Sequence, residues 1–140
     1  MTDRTNIGQV LSVALLVAVC LSRPMSGADA PSGAEILRTA DVSRGLIVHL
    51  GCGDGRLTAD LYASGNCIVH GLDADASNVE AARAHIRDHG LYGPASVERW
   101  TASRLPYIDN LANLVVADNP GEAAMDEIMR VLAPGGSAYV

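Results

Sequence analysis

The sequence has no lysine and no phenylalanine, and it carries one tryptophan and four tyrosines among 140 residues. All ten basic residues are arginine, a usage that says nothing about function by itself. They form no cluster, and the formal net charge is −6. The concentrated positive footprint of a nucleic-acid-binding protein is therefore missing. Cysteine is scarce too. Cys20, Cys52 and Cys67 make no C-x-x-C pair and show no metal-ligand spacing. The amino-terminal apolar run, residues 10–21 (VLSVALLVAVCL), is twelve residues long, whereas a helix that crosses a bilayer takes about 20. What remains is a chain 49% hydrophobic in small side chains. It is long enough for one domain with a real core, and its composition suits an α/β protein.

Residues 1–30 separate from the rest. Residues 10–21 have the length of a signal-peptide core, and Ala28-Asp29-Ala30 offers an A-x-A cleavage site before Pro31. The expectation is a signal peptide or membrane anchor over residues 1–30 and a folded domain over residues 31–140. The protein is then exported or membrane-anchored if that signal operates, and otherwise cytoplasmic. In an exported protein Cys52 and Cys67 are the two cysteines left to form a disulfide.

Residues 45–57, GLIVHLGCGDGRL, organise the domain. Leu46, Ile47 and Val48 read as a buried strand. Gly51, Cys52, Gly53, Asp54 and Gly55 follow, and an amphipathic stretch starts at Arg56. Strand, glycine turn and helix open a βαβ unit. Glycines let the backbone turn tightly and lie against a ligand, and the helix amides face whatever sits above the strand end. The dinucleotide fingerprint G-x-G-x-x-G requires glycine at position 56, where this chain has Arg56. The pattern present is G-x-G-x-G.

Further along, a short helix is expected within residues 31–44, around Ile36 and Leu37, and another from Leu57 to Tyr62, ended by Gly65-Asn66. Residues 67–72 (CIVHGL) read as a second buried strand with Asp73 at its carboxyl end. An acid about 20 residues beyond the glycine loop accepts hydrogen bonds from a ribose in doubly wound folds. Residues 76–90 form the clearest helix, with Val79, Ala82, Ala84 and Ile86 as its apolar face. His85 and His89 share a face there, but no third ligand accompanies them, so a solvated face is expected rather than a metal site. Residues 96–100 and 111–117 read as strands three and four, the latter ending at Asp118-Asn119-Pro120. Residues 122–132 read as a helix packing Met125, Ile128, Met129 and Leu132 into the core. Pro134 is expected to stop that helix, and Gly135-Gly136 to reverse the chain into a fifth strand from Ser137.

Four of these stretches resemble class I S-adenosylmethionine-dependent methyltransferases in identity, order and spacing: the G-x-G-x-G loop, Asp73, Leu105-Pro106-Tyr107 and Arg130–Gly136 (RVLAPGG). The resemblance covers residues 45–140. It implies a Rossmann-like, doubly wound sheet truncated after about five parallel strands, with S-adenosyl-L-methionine as cofactor. The cofactor-binding residues it implies are His49, Gly51, Cys52, Gly53, Gly55, Asp73 with Ala74 beside it, Thr101 and Asp118. Asp118 lies at the mouth of the site, on the substrate side. Trp100 is a candidate to pack on the adenine. The implied activity is methyl transfer to a small-molecule or protein acceptor, and no catalytic residue is marked.

Three positions depart from the family pattern. His49 stands where an acid commonly holds the methionine amino group. Thr101 stands where an acid contacts the adenine, and Asn113, in the fourth strand, replaces the usual Asp of the family's F-D-L-V stretch. Each removes a negative charge, which predicts weakened cofactor affinity or binding without turnover. The family fold has seven strands, so the chain is expected to be a fragment followed by a further domain. The whole also resembles the amino-terminal part of larger exported bacterial proteins that carry a quinoprotein-type β-propeller. A second reading follows: a non-catalytic S-adenosylmethionine- or nucleoside-binding module of such a protein.

Overall fold

The computed structural model describes residues 30–63, 65–118 and 123–140. The predicted signal segment, the Asn119-Pro120 turn and the helix start at Glu122 lie outside the described residues. No described helix is long and apolar enough to cross a membrane.

Among the described residues nine elements follow in order: α1 (Gly33–Thr39), β1 (Gly45–Leu50), α2 (Arg56–Leu61), β2 (Cys67–Asp73), α3 (Ala76–Asp88), β3 (Ala95–Arg99), β4 (Ala112–Ala117), α4 (Met125–Val131) and β5 (Leu132–Tyr139). The strands form one parallel sheet in the order β3-β2-β1-β4-β5. Its centre reads as continuous apolar sequence because both faces are covered, as parallel sheets require. Alternate residues serve opposite faces. Ile47, Val69, Val97, Leu114 and Val116 meet Ile36 and Leu37 of α1, Leu61 of α2, and Val79, Ala82 and Ile86 of α3. Val48, Leu50, Leu72, Val115 and Ala117 meet Leu105 and, from α4, Ile128 and Val131.

Helices α1 and α3 begin at capping side chains. Ser32 caps α1 by accepting the Glu35 amide, and Asp75 caps α3 by accepting the Ser77 amide. The buried positions of α3 are Val79, Ala82 and Ile86, whereas Ala84 is exposed. A helix covering a sheet presents a stripe at three- and four-residue spacing, and Ala84 lies off that stripe.

The carboxyl-terminal third departs from the sequence reading. Helix α4 ends at Val131, three residues before Pro134, and Leu132 is already extended. The register jumps from Ala112 opposite Leu132 to Leu114 opposite Ser137. Residues 133–136 therefore form a wide bulge within β5 rather than a turn ahead of it. Pro134 sits in that bulge, where its missing N–H costs no ladder bond. Met125 and Met129 are exposed rather than packed in the core. Ile128 and Val131 are the residues α4 buries, which turns its apolar face away from the two methionines.

No helix joins β3 to β4, and α4 pins the intervening loop. Arg130 donates to the carbonyls of Leu105 and Tyr107 and to the carboxylates of Asp109 and Glu127. Glu127 in turn accepts the Leu105 amide at 2.9 Å. The Arg130 bonds and the Leu105 amide hold the Glu127 carboxyl at about 2, well below its usual value of 4.5. A carboxylate depressed in the native state contributes stability above its unfolded pKa and loses it as pH falls through the folded value. Acidification from pH 5 to pH 2 should therefore free the loop before the sheet unfolds. The single Trp100 sits on this loop, its Nε1 donating to the Arg104 carbonyl, and its fluorescence is the readout. Arg130→Ala should show the released signal already at pH 5.

Candidate active site

The carboxyl ends of β1, β2, β3 and β4 lie along one edge of the sheet. The strand order reverses between β1 and β4, and ligands of doubly wound folds bind in the crevice at such a switch point. Every site residue expected from the sequence falls on this edge. Gly51, Cys52, Gly53 and Gly55 follow β1, Asp73 and Ala74 end β2, Thr101 lies just past β3, Asp118 follows β4, and His49 is one residue from the end of β1.

The turn after β1 is built on β2. The amides of Gly51 and Cys52 both donate to the Leu72 carbonyl, at 2.8 and 3.2 Å. The Gly53 amide donates to Asp73 Oδ2 at 2.9 Å. Gly51, Gly53 and Gly55 have φ values of 72, 52 and 81°, a left-handed conformation that glycine adopts without strain. Gly55 also touches α3, where an added Cβ would lie 2.8 Å from the Ala82 backbone. A Cβ added at Gly53 would meet nothing within 4 Å, so the turn presents open backbone outward.

Asp73 does more than end a strand. Beyond Gly53, it accepts the Asp75 amide at 2.9 Å on Oδ1 and the Asn78 side-chain amide at 3.3 Å on both oxygens. The carboxylate thus ties the turn after β1 to the start of α3. Asn78 was not singled out from the sequence. Its signal was its place one turn into α3, on the same side as the strand end.

His49 is buried, and its Nδ1 lies 2.8 Å from Thr58 Oγ1 of α2, itself fully buried. Its Nε2 has no hydrogen-bond partner among the described residues and lies 3.8 Å from Asp118 Oδ2. Burial pushes the imidazole pKa below the usual 6.5, against the opposing pull of Asp118 and Asp73. Thr58 too was missed; it lies three residues before the buried Leu61, on the same helical stripe. Opposite His49 in the sheet is Gly71, whose missing side chain leaves room for Cys52.

Three expectations need correction. Asn113 is the second residue of β4, four residues and so about 13 Å from the carboxyl edge. Its Oδ1 accepts the Leu46 amide and fills the space beside Gly45, so it removes no charge from the site. Trp100 packs with Leu105 and Tyr107 against the α4-side core rather than standing free to stack on a base. Cys67 starts β2 opposite Gly45, whereas Cys52 lies beside Gly71, four residues and about 13 Å further along β2. A disulfide requires Cα atoms within about 7 Å, and none joins these two buried cysteines. Burial pushes the Cys52 thiol up to about 12, helped by Asp73, which makes it packing material rather than a nucleophile. His85 and His89 stack on α3. Among the described residues no three His, Cys, Asp or Glu side chains gather as metal ligands.

An all-parallel, doubly wound sheet with a glycine turn after β1 and an acid closing β2 defines the nucleotide-cofactor class of α/β proteins. Residues 47–136 match the family described as methyltransferase domain, and the chain belongs to that family. Methyltransferase GfsG of Streptomyces halstedii is 29% identical over 120 residues, which cover 81% of this chain and 43% of that protein. A candidate S-adenosyl-L-methionine-dependent methyltransferase from Methanococcus maripaludis superposes with a TM-score of 0.68 at 23% identity, over 76% of this chain and 51% of the other. A geranyl diphosphate methyltransferase in complex with S-adenosylmethionine gives 0.59 at 17% identity, over 69% of this chain and 41% of the other. The chain spans less than half the length of GfsG. The cofactor that belongs to this fold is S-adenosyl-L-methionine.

Two outcomes follow from the geometry. Gly55→Ala places a side chain at positive φ against Ala82 and should cost about 3 kcal/mol of stability, read by urea unfolding. Native protein at pH 8 should resist iodoacetamide at Cys52 while denatured protein reacts, read by peptide mass spectrometry.

Proposed function

We propose that the domain binds S-adenosyl-L-methionine along the carboxyl edge and supports transfer of its methyl group to a small-molecule or protein acceptor. The observation that carries this reading is the joining of the G-x-G-x-G turn after β1 to Asp73 at the end of β2, beside the switch point between β1 and β4. The site fits the cofactor on its own terms. Gly53 offers open backbone where a Cβ would stand, and buried His49 Nε2 has no hydrogen-bond partner among the described residues.

In this reading Asp73, already held by Gly53, Asp75 and Asn78, turns its remaining acceptor capacity to the ribose hydroxyls. The turn of Gly51, Cys52, Gly53 and Gly55 lies along the cofactor's chain, Ala74 and Thr101 flank the adenosine, and His49 and Asp118 take the methionine end. The bound cofactor would supply a sulfonium whose methyl group is already activated. The chain then contributes position: a rigid edge that orients an acceptor nucleophile in line with that methyl, the main source of rate in such transfers. A net charge of −6 without a basic cluster supports an acceptor other than nucleic acid.

Titration calorimetry on the full chain tests this with S-adenosylmethionine and S-adenosylhomocysteine. Both should bind, and Asp73→Ala should weaken both at least about tenfold, because a charged hydrogen-bond acceptor is removed. Absence of binding by chain shown to be folded would overturn the reading.

A further inference from the structure

The open part of the sheet holds a chain of polar side chains that the cofactor reading does not use. No helix joins β3 to β4, and the α4-side face of β2 is uncovered near its start, where Ile68 is 59% exposed. Two residues on, His70 stands on the same face, between Val48 of β1 and Ser96 of β3. Tyr107 of the β3–β4 loop meets it there edge to face, with ring centroids 5.7 Å apart. The Tyr107 hydroxyl lies 2.6 Å from His70 Nδ1. On the other side of the ring, Nε2 lies 3.5 Å from Glu98 Oε2 of β3.

The partners fix the direction of this chain. A carboxylate only accepts, so Nε2 carries the ring hydrogen. Nδ1 of the neutral ring is then an acceptor, and the Tyr107 O–H donates to it. Burial pushes the phenol well above its ordinary value, so Tyr107 keeps the proton it donates.

We infer that His70 is a positioning residue for the β3–β4 loop, gripping it through the Tyr107 hydroxyl only while the imidazole is neutral. The loop backbone is held separately, by Glu127 and Arg130 of α4. Protonation reverses the bond at Nδ1. The nitrogen then donates, and the half-buried Tyr107 O–H loses its acceptor. Glu98 favours the imidazolium, but burial outweighs it and holds the ring below its ordinary 6.5. The grip is therefore complete above pH 6.5 and is lost as pH falls through the lower folded value. Glu127 holds the backbone down to about pH 2, so the side-chain grip goes first.

Few charges surround the ring. Glu98 faces it from β3 and Tyr107 from the loop, and neighbouring Val48 and Ser96 are uncharged. Glu127 and Arg130 bond each other, Asp109 pairs with Arg130, and Arg104 and Asp126 are exposed. The loop starts at Trp100, whose amide donates to the Asp73 carbonyl, and at Thr101, which flanks the adenosine in the proposed cofactor site. The effect on ligand rests on that reading: a slackened loop must be reordered when adenosine binds.

Two readouts on the full chain separate the grip from the ligand. In ligand-free protein, histidine nitrogen NMR should show His70 as the Nε2–H tautomer at pH 8, titrating below 6.5. Trp100 emission should shift with the same midpoint. Tyr107→Phe keeps the ring and deletes the donor, so it should raise the His70 midpoint and show the released Trp100 emission already at pH 8. Glu98→Gln, an exposed change, should lower both midpoints together. His70→Asn sets a carbonyl oxygen near the place of Nδ1 and cannot titrate, so its Trp100 emission should stay level from pH 8 to pH 5. Calorimetry uses 5′-methylthioadenosine, which carries adenosine without the amino-acid end. At pH 5 His70→Asn should bind it about three- to tenfold more tightly than the wild type, and at pH 8 equally. A Trp100 midpoint that does not follow His70 through these variants would overturn the inference, as would the Nδ1–H tautomer or equal affinities at pH 5. Failure of folded chain to bind the nucleoside at any pH would overturn the cofactor site, while the Trp100 midpoints still decide the grip.

Discussion

The carboxylate of Asp73 holds the working edge of this protein together. It takes the Gly53 amide from the turn after β1 and the Asp75 amide from the turn after β2, so two loops separated by a whole βα unit move as one. Such bonds to a charged acceptor are shorter and stronger than neutral ones. They also bring together what the sheet alone would leave apart, because β1 and β2 touch along their lengths but end in separate loops. The glycines complete the arrangement. Their positive φ values allow the turn to fold back onto the Leu72 carbonyl, and Gly55 lets α3 approach to backbone contact.

Behind that edge the core is divided by the sheet, and the two halves do different work. The half under α1, α2 and α3 carries the polar exception, His49 with Thr58, directly below the crevice. The half under α4 is apolar at the sheet except for His70, which meets the Tyr107 hydroxyl, and polar at its rim, where Glu127 and Arg130 hold the β3–β4 loop by its backbone. Side-chain hydrogen bonds there replace the hydrophobic face that a connecting helix would have supplied.

Much of the fold was legible because its signals are local. Leu46 to Val48 and residues 111–117 read as buried strands from composition alone. Positions 79, 82 and 86 marked the covered face of α3, and the G-x-G-x-G turn announced a βαβ start. The errors arose where a local signal had two outcomes. Pro134 and two glycines announce a break in regular structure, but the break became a bulge inside β5 because Leu132 found Ala112 to pair with before the proline. Met125 and Met129 fit a helical spacing, but which stripe of α4 is buried depends on the sheet beneath it, and that sheet selected Ile128 and Val131.

The sequence by itself determined the order of elements, the parallel doubly wound architecture, the family, and the grouping of Gly51, Gly53, Gly55 and Asp73, because each rests on spacing within a few residues or one βα unit. Only the tertiary structure decided which charges reach the site. Asn113 and His49 look alike as losses of an acid, but strand register puts Asn113 at the opposite end of the sheet, where it accepts the Leu46 amide, and His49 beside Asp118. The pairing of His49 with Thr58, nine residues on, and with the end of β4, 69 residues on, depends on two chain crossings. Electrostatic and hydrogen-bonding interactions act through distance in space, and distance along the chain carries almost none of that information.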